Sequence, residues 1–125
     1  MDFIIGGAYQ GKLDYAKKRF SLTDAEIYTC TESEGIVFGA RCIYRLEEFA
    51  LWCVRSGADA TEIFKANRDA WQGSVLICED IFCGVVPMGA DMRAWREMTG
   101  RLCAYLSGEA DSVTRIFCGL EQRLK

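Results

Sequence analysis

The run Asp2-Phe3-Ile4-Ile5-Gly6-Gly7-Ala8-Tyr9-Gln10-Gly11-Lys12-Leu13 decides how the chain is read. Its first residues are mostly apolar and stop at a glycine pair, which predicts a short buried strand over 2–5. Leu13, Ala16 and Phe20 then fall on one side of a helix expected over 12–20. Between strand and helix, Gly6-Gly7-Ala8-Tyr9-Gln10-Gly11-Lys12 matches the first seven positions of the phosphate-binding loop pattern G-x-x-x-x-G-K-[ST], in the place where that loop has to lie. Each residue type has a physical reason. Glycines let successive main-chain N–H groups turn inward around an anion. The helix start adds unpaired donors and a favourable dipole. Lys12 has the reach for the β- and γ-phosphates of a nucleotide. The eighth position is Leu13, where the pattern has a hydroxyl that coordinates Mg²⁺. The loop is therefore expected to hold phosphate through Gly6, Gly7, Ala8, Tyr9, Gln10, Gly11, Lys12 and Leu13, and to be poorly equipped for chemistry on it. The plain alternative is a glycine-rich turn carrying an exposed lysine.

Working outward, Ser21-Leu22-Thr23-Asp24 reads as a loop, 26–30 as a short β-prone run and 31–35 as a polar turn. Residues 36–38 fit a strand or a loop segment. Apolar residues at 43, 46, 49, 50, 53 and 54 follow helical spacing and predict a helix over 43–56, stopped by Gly57. Asp59 suits the N-cap of a further helix running to about Trp71. Val75-Leu76-Ile77-Cys78 is a continuous apolar strand with Glu79-Asp80 at its end. Residues 81–89, which include Pro87, read as a loop. The clearest helix is expected over 91–108, with Met92, Trp95, Met98, Leu102, Tyr105 and Leu106 on one face. A strand over 113–118 follows, and 122–124 is a candidate final strand. Short apolar strands alternating with helices predict an α/β fold. The expectation is a single three-layer domain over residues 1–125, with a mainly parallel sheet flanked by helices, phosphate-loop NTPase-like. A short antiparallel C-terminal strand is an open addition. Glu79 and Asp80 would lie where acidic residues hold the Mg²⁺ of a phosphate-loop site, or would form a solvated turn pair.

Composition narrows the function. The chain has 125 residues, 50% of them apolar, enough for a real core and too apolar for a disordered chain. Net charge is −3 and no basic run exceeds Lys17-Lys18-Arg19, so no nucleic-acid footprint is present. No window approaches the about 20 apolar residues of a membrane span. The first residues lack a signal-peptide layout, and a cytoplasmic protein is expected. The absence of histidine excludes imidazole-based nucleophile pairs, imidazole metal ligands and a phosphohistidine. The seven cysteines (30, 42, 53, 78, 83, 103 and 118) are scattered, odd in number and mostly among apolar neighbours. They are expected to be reduced, buried thiols, with a zinc site or disulfide framework as the alternatives.

The C-terminal half carries a second pattern. It reads Glu79-Asp80-Ile81-Phe82-Cys83-Gly84-Val85-Val86-Pro87, then Trp95-Arg96-Glu97-Met98-Thr99-Gly100-Arg101-Leu102-Cys103, then Ala110-Asp111-Ser112-Val113, and ends Cys118-Gly119-Leu120-Glu121-Gln122-Arg123-Leu124-Lys125. Taken with the N-terminal loop, these stretches resemble the adenosylcobinamide kinase / adenosylcobinamide-phosphate guanylyltransferase family of cobalamin biosynthesis. That family has Gly-Gly-Ala-x-x-Gly-Lys-Ser after its first strand. Later it has Asn-Glu-Val-Gly-x-Gly-Ile-Val-Pro, a helix of the type Phe-Arg-Asp-x-x-Gly-Arg-x-Asn, then Ala-Asp-x-Val, and Ser-Gly before a short basic end. Order and spacing hold without gaps from about Val75 to Lys125, so the resemblance covers somewhat over half the chain.

The resemblance implies GTP or ATP as ligand, Lys12 on phosphate, and Asp80 in the place of the family's Glu, with Glu79 or Asp80 directed at Mg²⁺. It implies the aminopropanol hydroxyl of a cobinamide as acceptor and a homo-oligomer, a trimer, as assembly. The departures weigh as much. Leu13 replaces the Mg²⁺-binding Ser, and Cys103 replaces the helix Asn. The histidine that carries GMP is missing. The second acidic strand motif has no counterpart between Cys30 and Trp71, a region shorter than in the family. Guanylyl transfer by the family's mechanism is therefore excluded. Two functions remain: a nucleotide- or phosphate-binding relative whose residual kinase chemistry would use Lys12 with Asp80 or Glu79, or a non-catalytic interaction or regulatory homologue. A thiol role around Cys78 and Cys83 is a weaker third.

Overall fold

Phe3 and Ile4 are sequence neighbours, and each is 1% exposed. Side chains alternate across a strand, so this one is covered on both faces and lies inside a sheet. In the computed structural model, which describes residues 1–82 and 89–125, the strands are β1 (Asp2–Gly6), β2 (Ile27–Thr29), β3 (Cys42–Tyr44), β4 (Val75–Glu79), β5 (Ser112–Phe117) and β6 (Leu120–Arg123). The helices are α1 (Lys12–Phe20), α2 (Leu46–Ser56), α3 (Ala60–Ala66), α4 (Arg68–Trp71) and α5 (Ala90–Glu109). The sheet order is β2-β3-β4-β1-β5-β6. β1 pairs in parallel with both β4 and β5, and β2, β3 and β4 are also parallel. Among the described residues, the β5–β6 pair alone is antiparallel.

Two apolar layers sandwich this sheet. On one face Phe3, Ile43, Leu76, Cys78 and Val113 pack against Leu46, Phe49 and Cys53 of α2, Phe64 of α3, and Leu102 and Leu106 of α5. On the other, Ile4, Cys42, Val75, Ile77 and Ile116 meet Ala16 of α1 and Leu22. Trp71 is buried in the first layer, and its indole N–H donates to the Phe64 carbonyl at 2.7 Å, so that donor is satisfied. The protein is thus α/β, with a mainly parallel six-stranded sheet flanked by helices and a C-terminal antiparallel pair.

Two helices differ from expectation. The helix expected over 43–56 is a short strand and then a helix, because Arg45 takes φ 66° and breaks the chain between them. The helix expected to run from Asp59 to about Trp71 is interrupted at Asn67, whose side-chain amide donates to the Ile63 carbonyl at 2.8 Å. Residues 36–38, which fit a strand or a loop segment, take the loop alternative. Asp59 does cap α3, accepting the Glu62 N–H at 3.2 Å. Residues 83–88, with Cys83 and Pro87, lie outside the described residues. Of the remaining cysteines, Cys30, Cys42, Cys53, Cys78 and Cys103 are buried free thiols and Cys118 is exposed. No helix among the described residues is long and apolar enough to cross a membrane.

Candidate phosphate-binding site

The register of the central strands decides where the glycine loop lies. Gly6 is level with Glu79 of β4 and with Ile116 of β5. The loop therefore leaves the sheet at its C-terminal edge, between two neighbours. Open α/β sheets keep their ligands at that edge. Gly6 is fixed by space, since a Cβ there would stand 2.5 Å from the Ile116 carbonyl oxygen. Gly11 is fixed by conformation, with φ 92° at the start of α1.

The loop is held at both ends. At its base the Asp80 N–H donates to the Gly6 carbonyl at 2.7 Å. Near its tip Gln10 takes two donors from the β5–β6 turn. Its main-chain carbonyl accepts the Gly119 N–H at 2.9 Å, and its side-chain oxygen accepts the Cys118 N–H at 2.5 Å. Tyr9 stands fully in solvent. Lys12, by contrast, is only 6% exposed, and its ammonium donates to the Gly7 carbonyl at 2.7 Å. The Tyr15 N–H closes the first helical bond, onto the Gly11 carbonyl at 3.0 Å. The N–H groups of Lys12, Leu13 and Asp14 therefore have no acceptor in the ladder of α1. They lie at the positive end of its dipole.

A cleft of about 550 Å³ opens beside the loop. Loop residues Ala8 to Gly11, then Lys12, Leu13 and Asp14, form one wall, and Tyr44, Arg45 and Glu79 the other. Beneath that second wall lies Glu47, 2% exposed. Its Oε2 accepts the Glu79 N–H at 2.9 Å, and its Oε1 faces Arg45 Nε at 3.5 Å. The Glu47 carbonyl accepts the Trp95 indole N–H at 2.7 Å, which ties α5 to α2. Burial pushes the Glu47 carboxyl above the usual range, although the Glu79 N–H and Arg45 pull the other way. The hydrogen bond to Cys103 and burial both push the Cys78 thiol up. It lies fully buried in the core.

Of the residues expected at the site, Ala8 to Leu13 and Glu79 share one cleft, while Gly6 ends β1 and Gly7 links it to the loop. Asp80 sits next to them, and its Oδ1 accepts the Phe82 N–H at 3.0 Å. The Cys83-to-Pro87 part of the family pattern lies outside the described residues. Tyr44, Arg45 and Glu47 were not expected. In sequence, residues 44, 45 and 47 fall inside the helix expected over 43–56, between its apolar positions. Only a strand over 42–44 would have brought these residues to the sheet edge. Comparison with known protein families finds no model that matches the chain, and comparison with curated proteins finds no match.

Proposed function

We propose that the chain binds the phosphates of a nucleotide, GTP or ATP, at residues 6–13. On this reading it is a shortened relative of the adenosylcobinamide kinase / adenosylcobinamide-phosphate guanylyltransferase family. One observation carries the reading: Lys12 is buried in the glycine loop, with its ammonium on a single neutral carbonyl among the described residues. An ammonium has three donors, and a buried charge without a counter-charge is unfavourable. An anion cradled by the loop would take up the remaining donors and offset that cost. The N–H groups at the start of α1 would add to it.

Lys12 would neutralise charge on the transferred group, which is what phosphoryl transfer mainly requires of a protein. The residues fit Mg²⁺ poorly. The ion is usually held by one or two carboxylates with phosphate oxygens and water. Here Leu13 offers no hydroxyl, Asp80 is engaged with Phe82, and only Glu79 of the expected acidic pair lines the cleft. The family resemblance adds a cobinamide-type acceptor and a trimeric assembly to this proposal, and a cytoplasmic setting goes with it. A second reading, a non-catalytic interaction or regulatory homologue that keeps the fold without nucleotide turnover, is favoured by Leu13.

The test is thermal unfolding with GTP, ATP or pyrophosphate, each with and without Mg²⁺. Ligand in large excess over its Kd should raise the wild-type midpoint by roughly 5 °C or more, and Lys12→Ala should abolish the rise. A wild type that shifts no more than the variant would show the loop to be only a turn. If binding is found, nucleotide turnover with cobinamide separates the two readings.

A further inference from the structure

We infer that Arg45 is a second phosphate-binding cation in this cleft, and that with Lys12 it lets a diphosphate group bind without a divalent metal. The inference rests on residues 6–13 being a phosphate site, and it supplies what that site otherwise lacks.

Arg45 follows β3 directly and lines the same cleft as Lys12. Its backbone is left-handed, φ 66° and ψ 51°, at the position that precedes α2. Glycine adopts this conformation freely, whereas an arginine is strained in it. Ser, Thr, Asp or Asn would cap the helix there, and the Arg45 side chain makes no cap bond. The position thus holds a residue that suits neither its backbone nor its helix. Such residues persist where the side chain is needed.

The guanidinium shows the need. Nε faces Glu47 at 3.5 Å and Nη2 faces Glu48 at 3.3 Å. Both separations are long for charge-assisted bonds. Nη1 has no partner among the described residues. The group is oriented by its carboxylates without being used up by them. Glu47 is itself pinned by the Glu79 N–H, so the mount is firm. A planar fork with open donors suits the paired oxygens of a diphosphate.

Charge balance makes the same point. Asp14 and Glu79 also line the cleft and oppose an anion. With Leu13 where a metal-binding hydroxyl belongs, Lys12 would be the single cation of a lining that carries two carboxylates, neither of them ion-paired with it. Arg45 brings a second cation to that lining, flanked by Glu47 and Glu48.

The experiment is titration calorimetry with inorganic pyrophosphate and with GTP, each in EDTA and in Mg²⁺. The proteins are wild type, Lys12→Ala, Arg45→Ala, Arg45→Lys and Arg45→Gly. Glycine accepts φ 66° without strain, so Arg45→Gly keeps the turn if the alanine variant folds poorly. Wild type should bind in EDTA with a Kd within about three-fold of its Mg²⁺ value. Arg45→Ala and Arg45→Gly should weaken binding about ten-fold or more, and Arg45→Lys should recover part of the loss. Tighter binding of GTP than of pyrophosphate would mark a nucleotide site, and equal binding a bare diphosphate site. Dependence of either on Arg45 supports the inference. Binding that vanishes in EDTA, or that survives loss of Arg45 while Lys12→Ala abolishes it, overturns this inference and leaves the loop reading intact. Failure of wild type to bind either probe in any condition overturns both.

Discussion

Among the loop residues, Gly6 and Gly7 are adjacent and chemically identical, yet they answer to different constraints. A methyl at Gly6 would drive into the Ile116 carbonyl at 2.5 Å, between two central strands that cannot give way. Gly6→Ala should therefore cost about 1–3 kcal/mol, as forced overpacking does. A methyl at Gly7 would meet only Gln10 Cγ, at an ordinary 3.5 Å. Gly7→Ala should be neutral or slightly stabilising through the unfolded chain. Urea titration decides the contrast: the Gly6 variant should have a lower midpoint at unchanged slope, the Gly7 variant should not. The glycine pair was legible in sequence, but the reason for each member was not, because Ile116 lies far along the chain. Glu47 shows the same limit. Nothing local distinguishes it from Glu48, and its burial comes from the Glu79 N–H arriving from β4.

At the scale of elements, the parts read correctly in sequence are those set by neighbouring residues. α1 spans the residues expected, since its apolar spacing and its glycine start are both local. Asp59 caps α3 as its side chain allows. Asp59→Ala should cost about 1 kcal/mol, seen as a lower midpoint in chemical denaturation. An unchanged midpoint would mean that packing of Phe64 alone holds this helix. The misread stretch is instructive. Ile43 and Leu46 are three apart and both fully buried, so they imitate one helical face. Ile43 instead faces the core from a three-residue strand, and Leu46 opens the next helix. A strand that short has no period of its own. The break depends on the left-handed turn at Arg45, which composition gives no reason to expect. The second wall of the cleft was hidden with it.

For the molecule as a whole, stability should be flat near neutral pH and fall on both sides. On the acid side, the Arg41 guanidinium, aided by Thr23, holds the Glu26 carboxyl at about 2 against an ordinary 4.5. Lys17 lowers Asp24, and the N-terminal amine lowers Asp111. Carboxylates depressed in the fold stabilise it above their ordinary values, and that contribution is lost as pH falls toward 2. On the alkaline side, burial pushes the Cys30, Cys42 and Cys53 thiols up to about 12 from 9.0. Groups raised in the fold stabilise it below their unfolded values, and this contribution is lost between 9.0 and about 12. The thermal midpoint measured across pH should show a plateau with losses in those two windows. A midpoint still flat at about pH 10.5 would mean that the thiols ionise in the folded state as freely as in the unfolded one.

The place of β1 in the sheet also governs how the fold is reached. Its partners begin at Val75 and Ser112, and the N-terminal amine bonds Asp111 at 2.6 Å. During synthesis from the N-terminus, this strand emerges long before anything exists to pair with it. Its early life is that of an apolar segment with open edges, and folding must wait for closures that span most of the chain, which slows it relative to a helical bundle of similar size. The glycine loop inherits the delay. Gln10 finds its donors only in the turn at Cys118 and Gly119, so the first feature written in the sequence is among the last to take shape.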